Sequence, residues 1–114
     1  MHEMAVAEGI LKIIEVKLKE SSEKGEVCKV NLKIGKLTCV EPEALRLSFE
    51  AISRDTRLEK ANLSIQSIPV TGKCKDCQND FHLDDLDFAC PSCGSFRIDI
   101  KTGRELQIES FEIE

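Results

Sequence analysis

Two cysteine pairs constrain this chain more than any other feature. Two residues separate Cys74 from Cys77, two separate Cys90 from Cys93, and twelve lie between the pairs. A thiolate pair at that spacing folds into a tight loop around one metal ion. Two such loops complete a tetrahedral sulfur site. In Cys90-Pro91-Ser92-Cys93-Gly94, glycine falls where backbone amides must approach sulfur. An all-thiolate set suits zinc, and the same loops hold iron in rubredoxin-like sites. A closed four-sulfur site leaves no position for a substrate, so its role is structural or regulatory.

A chain of 114 residues makes one ordinary domain or two very small ones. No apolar run reaches the length of a membrane span. No secretory signal opens the chain, and four of its six cysteines have ligand spacing, so a reducing cytoplasm is the expected compartment. The formal net charge is −5, which leaves no excess of cations for binding phosphates. Lys12, Lys17, Lys19 and Lys24 are interleaved with Glu15, Glu20 and Glu23, the pattern of a solvated helix face. With no Trp or Tyr, base stacking is poorly supplied. Nucleic-acid and membrane partners are therefore not expected. Nor is an enzyme, because no Ser–His or Cys–His pair with an orienting acid is apparent.

Periodicity divides the rest. Met4, Ala7, Leu11, Ile14 and Leu18 recur at helical spacing, and Val6, Ile10 and Ile13 widen the stripe, which predicts a helix from about Met4 to Ser21. Cys28, Val30, Leu32 and Ile34 alternate with polar residues as a strand with one wet face, closed by Gly35. Pro42 suits a helix first turn, and Leu45, Phe49 and Ile52 carry that helix to about Arg54. Leu63 and Ile65 begin a second strand that Pro69 ends.

The metal module spans roughly Val70 to Ile100. Phe81 with Leu83, and Leu86 with Phe88, alternate with polar residues, too few to make a free-standing core. A structural zinc supplies about 10–16 kcal/mol in small peptides, enough to make up the difference. Phe96, Ile98 and Ile100 form a short strand, and Gly103 marks a turn. Leu106 and Ile108 fall on one parity and Phe111 and Ile113 on the other, which predicts a bulge near Glu109 or Ser110. The final strand needs a partner, and the simplest solution returns it to the first sheet. The metal module then becomes an insertion within an α+β domain.

Other candidate residues are Cys28, Cys39, His82 and His2. Cys28 on an apolar strand face and Cys39 before the second helix read as small buried hydrophobes. His82 reads as a solvent-facing strand residue. In Met1-His2-Glu3, the terminal amine, two ionised amides and the imidazole can present several nitrogens to one ion. Nitrogen donors in a plane suit Ni(II) or Cu(II), and Glu3 adds a carboxylate. Amides bind only after losing a proton, so such a site weakens as pH falls. The bland alternative is a frayed terminus.

Met1-His2-Glu3 is followed by an amphipathic helix, by Ile34-Gly35-Lys36-Leu37 and by Val40-Glu41-Pro42-Glu43-Ala44-Leu45. The two cysteine pairs come next, and Gly103-Arg104-Glu105-Leu106 near the end. In order and spacing these motifs resemble the HypA-type (HypA/HybF) hydrogenase nickel-incorporation metallochaperones, essentially end to end. The resemblance implies an α+β fold: two helices on a small three-stranded mixed sheet, with an inserted four-cysteine zinc-ribbon-like domain. It implies a nickel-binding domain of residues 1–69 plus 101–114 and a zinc domain of residues 70–100.

Carried over by position, His2 is the principal Ni(II) ligand, with the Met1 backbone amine and Glu3 in support. Cys74, Cys77, Cys90 and Cys93 bind Zn(II). The implied partners are a nickel-chaperone GTPase, the hydrogenase large-subunit precursor and, in some organisms, urease accessory proteins. Some members carry histidines beside the cysteine pairs; here His82 is offset by several residues. Two rivals remain at this level. A zinc-ribbon nucleic-acid or protein-interaction module would reveal itself by salt-dependent nucleic-acid binding. A rubredoxin-like carrier would be red.

Overall fold

In the computed structural model, which describes residues 2–83 and 88–114, two helices and two three-stranded sheets account for most of the chain. In chain order they are α1 (Glu3–Glu20), β1 (Val27–Gly35), a 3-10 turn (Lys36–Thr38), α2 (Pro42–Ile52) and β2 (Asn62–Ile68). The short strands β3 (Thr71–Cys74), β4 (Asp80–His82) and β5 (Ile98–Thr102) follow, and β6 (Leu106–Ile113) ends the fold.

The first sheet has the order β2-β1-β6 and is mixed: β1 runs parallel to β2 and antiparallel to β6. The C-terminal strand therefore does return to the first sheet, beside β1. The α1 residues Ala7, Ile10, Ile14 and Leu18 meet Leu45 and Phe49 of α2 in one core with Val27, Val30, Leu32, Ile34 and Leu63 of the sheet. Apolar periodicity drives this arrangement, because each element has one apolar side and the other two elements cover it.

Several side chains depart from the expected pattern. The buried stripe of α1 runs through Ile10, not Leu11, while Met4 and Ile13 are exposed. The stripe is thus narrower than its apolar content, leaving Ile13 and Val16 on the surface. On β1, Val27 is fully buried and Cys28 only half-buried, because a register shift between Val27 and Lys29 leaves Cys28 without an opposite residue on β6. Its thiol turns to the carbonyl of Glu112 at 3.4 Å. Cys39 is exposed and left-handed (φ 59°), and Val40 takes the buried position beside it. Phe96 precedes β5 and is 79% exposed. Leu86 lies outside the described residues.

The expected bulge in β6 is present. Leu32 pairs with Ile108 and Asn31 with Ser110, so Glu109 is the extra residue. It reaches Lys33 at 2.9 Å. Phe111 and Ile113 then pack toward the core although their parity differs from that of Ile108.

The second sheet, β4-β3-β5, is antiparallel and carries the cysteine loops. Two chain crossings join it to the first sheet, one after β2 and one before β6. They are tied together: Thr102 Oγ1 donates to the Pro69 carbonyl at 2.8 Å, and the Thr71 and Thr102 hydroxyls meet at 2.6 Å. Gly103 turns with φ +118°. Gly35 lies so close to it that a Cβ at Gly35 would sit 2.1 Å from the Gly103 carbonyl atoms.

Candidate metal centres

Each cysteine pair lies in a turn that its own backbone closes. The Gln78 amide donates to the Cys74 carbonyl at 2.9 Å, and the Gly94 amide donates to the Cys90 carbonyl at 2.8 Å. The two loops face each other. Cys74 Sγ is 3.5 Å from Cys93 Sγ, Cys77 Sγ is 3.5 Å from Cys90 Sγ, and all four sulfurs lie within 4.8 Å of one another. Among the described residues no other group of three or more His, Cys, Asp or Glu side chains is gathered so tightly. A tetrahedral zinc–sulfur site needs sulfurs roughly 3.8 Å apart, as Zn–S bonds of about 2.3 Å dictate, so the quartet fits that ion. Cys74 and Cys90 are buried, and Cys77 and Cys93 exposed.

The thiols divide into two kinds. For Cys74 the amide of Cys77 is the largest influence, and the thiol lies below its ordinary value. Burial raises Cys90, but the amides of Cys93 and Ser92 with the neighbouring sulfurs outweigh it and bring it to about 6. The amide of Ser95 lowers Cys93, but the sulfur of Cys74, burial and the remaining sulfurs push it to about 12. Cys77 is likewise raised: the Asn79 amide lowers it, and burial with the sulfurs of Cys90 and Cys74 overcomes this. Four adjacent sulfurs share their protons unequally, with Cys74 and Cys90 shifted down and Cys77 and Cys93 shifted up.

The second candidate lies at the start of α1, which packs on the β2-β1-β6 sheet. His2 is exposed and caps the helix through its backbone, with no side-chain cap bond. The first helical hydrogen bond runs from the Val6 amide to the His2 carbonyl at 3.2 Å. The amides of His2 and Glu3 therefore precede the helical ladder. Glu3 Oε2 accepts from the Glu41 amide at 3.2 Å. That amide foremost, then the amide of Glu3 itself, holds the Glu3 carboxyl below its ordinary value. Met1 lies outside the described residues. His82 is exposed on β4, where it pairs with Thr71.

His2 also borders a groove of about 820 Å³. Ala5, Gly9 and Ile13 of α1 form one wall, and Leu106 and Ile108 of β6 form another. Sequence periodicity missed this groove by placing Ile13 inside. An excess of apolar residues over what one helix face can bury was the available signal.

Residues 1–113 match the family model for hydrogenase/urease nickel incorporation, metallochaperone, hypA. The chain belongs to this family. The hydrogenase maturation factor HypA of Desulfitobacterium hafniense is 44% identical over 114 residues, covering 100% of this chain and 99% of that protein. Its counterpart from Desulfatibacillum aliphaticivorans is 40% identical over 113 residues, covering 99% of this chain and 87% of that protein. The solution structure of the Ni metallochaperone HypA from Helicobacter pylori superimposes with a TM-score of 0.68 at 25% identity, covering 99% of this chain and 97% of that chain. As a HypA-family protein, the chain is a nickel metallochaperone of hydrogenase maturation that carries a four-cysteine zinc site. No helix among the described residues is long and apolar enough to cross a membrane.

Proposed function

We propose that this HypA-family chain takes up Ni(II) through His2, the backbone nitrogens of Met1, His2 and Glu3, and delivers it to the hydrogenase machinery. The observation that carries this reading is the start of α1. Because the first helical bond is Val6 to His2, deprotonating the amides of His2 and Glu3 breaks no bond of the ladder. The His2 ring is exposed and uncommitted to a cap. A carrier needs such openness, since an acceptor must replace ligands one at a time. Glu3 supports the site by fixing the first helical turn against α2.

Cys74, Cys77, Cys90 and Cys93 hold zinc in a closed site whose role is structural or regulatory. When bound, zinc cross-links the two loops. Different donor sets separate the two metals without reliance on raw affinity, which ranks copper above nickel. The chain divides into a nickel domain of residues 1–69 plus 101–114 and an inserted zinc domain of residues 70–100. Two sheets that share no strand support this division, with β5 running on to Thr102. The protein works in the cytoplasm as a carrier, not an enzyme. Its partners are a nickel-chaperone GTPase, the hydrogenase large-subunit precursor and, where present, urease accessory proteins.

The test is nickel titration by calorimetry with absorption spectroscopy. His2→Ala abolishes tight nickel binding and removes the planar-nitrogen d–d band, with zinc content and helicity unchanged. Undiminished nickel affinity in that variant would defeat the assignment.

A further inference from the structure

Several ties between the cysteine loops involve no sulfur. Asp76 sits between Cys74 and Cys77, and its carboxylate accepts from the hydroxyl of Ser95, which follows the second loop. Asn79 Nδ2, just after the first loop, donates to Ser92 Oγ inside the second at 3.1 Å. Arg97 closes the arrangement. Its Nη1 donates to Asp76 Oδ1 at 2.8 Å, its amide to Ser95 Oγ at 3.1 Å, and its carbonyl accepts from the Lys75 amide at 2.8 Å. Residues 75–79 are thereby joined to residues 92–97 beside the quartet.

We propose that Asp76, Ser95 and Arg97, with the Asn79–Ser92 pair, form a brace that holds the two cysteine loops at ligand spacing and sets how fast the site releases its metal. The proposal rests on the reading that the quartet holds zinc. Zinc leaves as sulfurs detach one after another, and a detached sulfur escapes recapture only if its loop swings away from the other. Each tie between the loops opposes that swing. The members of the brace are not of equal weight. The Arg97 side chain is 71% exposed and that of Asp76 39%, so their ion pair is largely screened by solvent. Ser95 makes the central contact, since its one hydroxyl serves both Asp76 and the Arg97 amide.

As a strut, Asp76 slows release, and its removal speeds it. Charge does not isolate the brace at Asp76, because its carboxylate attracts the zinc cation while it repels the thiolates. Ser95 and Asn79 are uncharged, so their removal tests the strut alone.

The experiment follows zinc transfer from the loaded full-length chain to an excess of a chromophoric chelator. Ser95→Ala and Asp76→Ala release zinc about tenfold faster than the parent, the effect of losing one well-placed hydrogen bond. Ser95→Thr, which keeps the hydroxyl, stays near the parent rate. The cobalt-substituted forms all keep the four-sulfur absorption spectrum, so ligand identity is unchanged. Asn79→Ala gives a smaller acceleration and serves as an independent strut should either other variant fail to fold. Parental or slower release in Ser95→Ala, Asp76→Ala and Asn79→Ala alike would overturn the brace. A parent chain that binds no zinc, or lacks the four-sulfur cobalt spectrum, would overturn the quartet reading and the brace with it.

Discussion

The carboxylate of Glu3 accepts a hydrogen bond from the backbone amide of Glu41, 38 positions away, at 3.2 Å. Glu41 in turn caps α2, its own carboxylate taking the amide of Ala44 at 2.6 Å. The start of α1, where the proposed nickel donors lie, is thus moored to the start of α2. Anions are favoured at a helix N-terminus, which helps explain how two glutamates can share this one. The folded-state pKa of Glu3 is lowered, so its contribution is fully present above the ordinary carboxylate value. It is lost as pH falls through the depressed folded value. Thermal melts of Glu3→Ala should show a lower Tm than the parent at pH 7, with the gap closing toward pH 3. Glu3→Gln keeps an acceptor oxygen and should flatten the pH dependence. A gap that is constant with pH would refute this role for the ionised carboxylate.

The crossing of Gly35 over Gly103 tolerates no side chain on the first residue. An alanine Cβ would stand 2.1 Å from backbone atoms, which cannot rotate away as a side chain can. Gly35→Ala should therefore cost roughly 3 kcal/mol, the upper end of ordinary overpacking. It should also disturb the hydrogen bonds from the Gly35 and Leu37 amides to the carbonyls of Glu105 and Gly103, at 2.7 and 2.8 Å. Urea unfolding measures the first effect, and amide exchange at Leu37 the second.

Gly9 presents the opposite case. It lies within α1, and a Cβ built there meets nothing within 4 Å. Gly9→Ala should stabilise the protein by about 0.5–1 kcal/mol, the helix-interior cost of glycine. The denaturant midpoint should rise with an unchanged slope. A fall would reveal a steric conflict at the groove wall.

The unequal thiols imply a proton count. At neutral pH the raised Cys77 and Cys93 keep their protons, while Cys74 and Cys90 lie below the ordinary thiol value. Zinc binds thiolates, so loading the site near pH 7.5 should release at least the two protons of Cys77 and Cys93. Calorimetry in buffers of different ionisation enthalpy counts them. Apparent zinc affinity should fall as pH falls, because protons then compete for each sulfur. An affinity that does not change between pH 6 and pH 8 would contradict this.

Local spacing alone makes much of this protein legible. The helices and the bulge near Glu109 follow from short-range periodicity, because a helix or strand shows its inner side every few residues; the cysteine loops follow from ligand spacing, and the return of β6 from its need of a partner strand. The nitrogen donors of the start are adjacent in the chain, so the sequence offers them as one set for the proposed nickel site. What spacing got wrong was which of two neighbouring residues turns inward. Periodicity placed Cys28 on the buried face of β1, but the register of β1 against β6 buries Val27 instead. The contacts of Glu3 with Glu41, Asp76 with Ser95 and Gly35 with Gly103 were beyond reach for the same reason. Each joins residues far apart in the chain, and nothing in either local pattern names its partner. Chain order specifies the donors and the faces; packing alone decides which polar groups meet once those faces close.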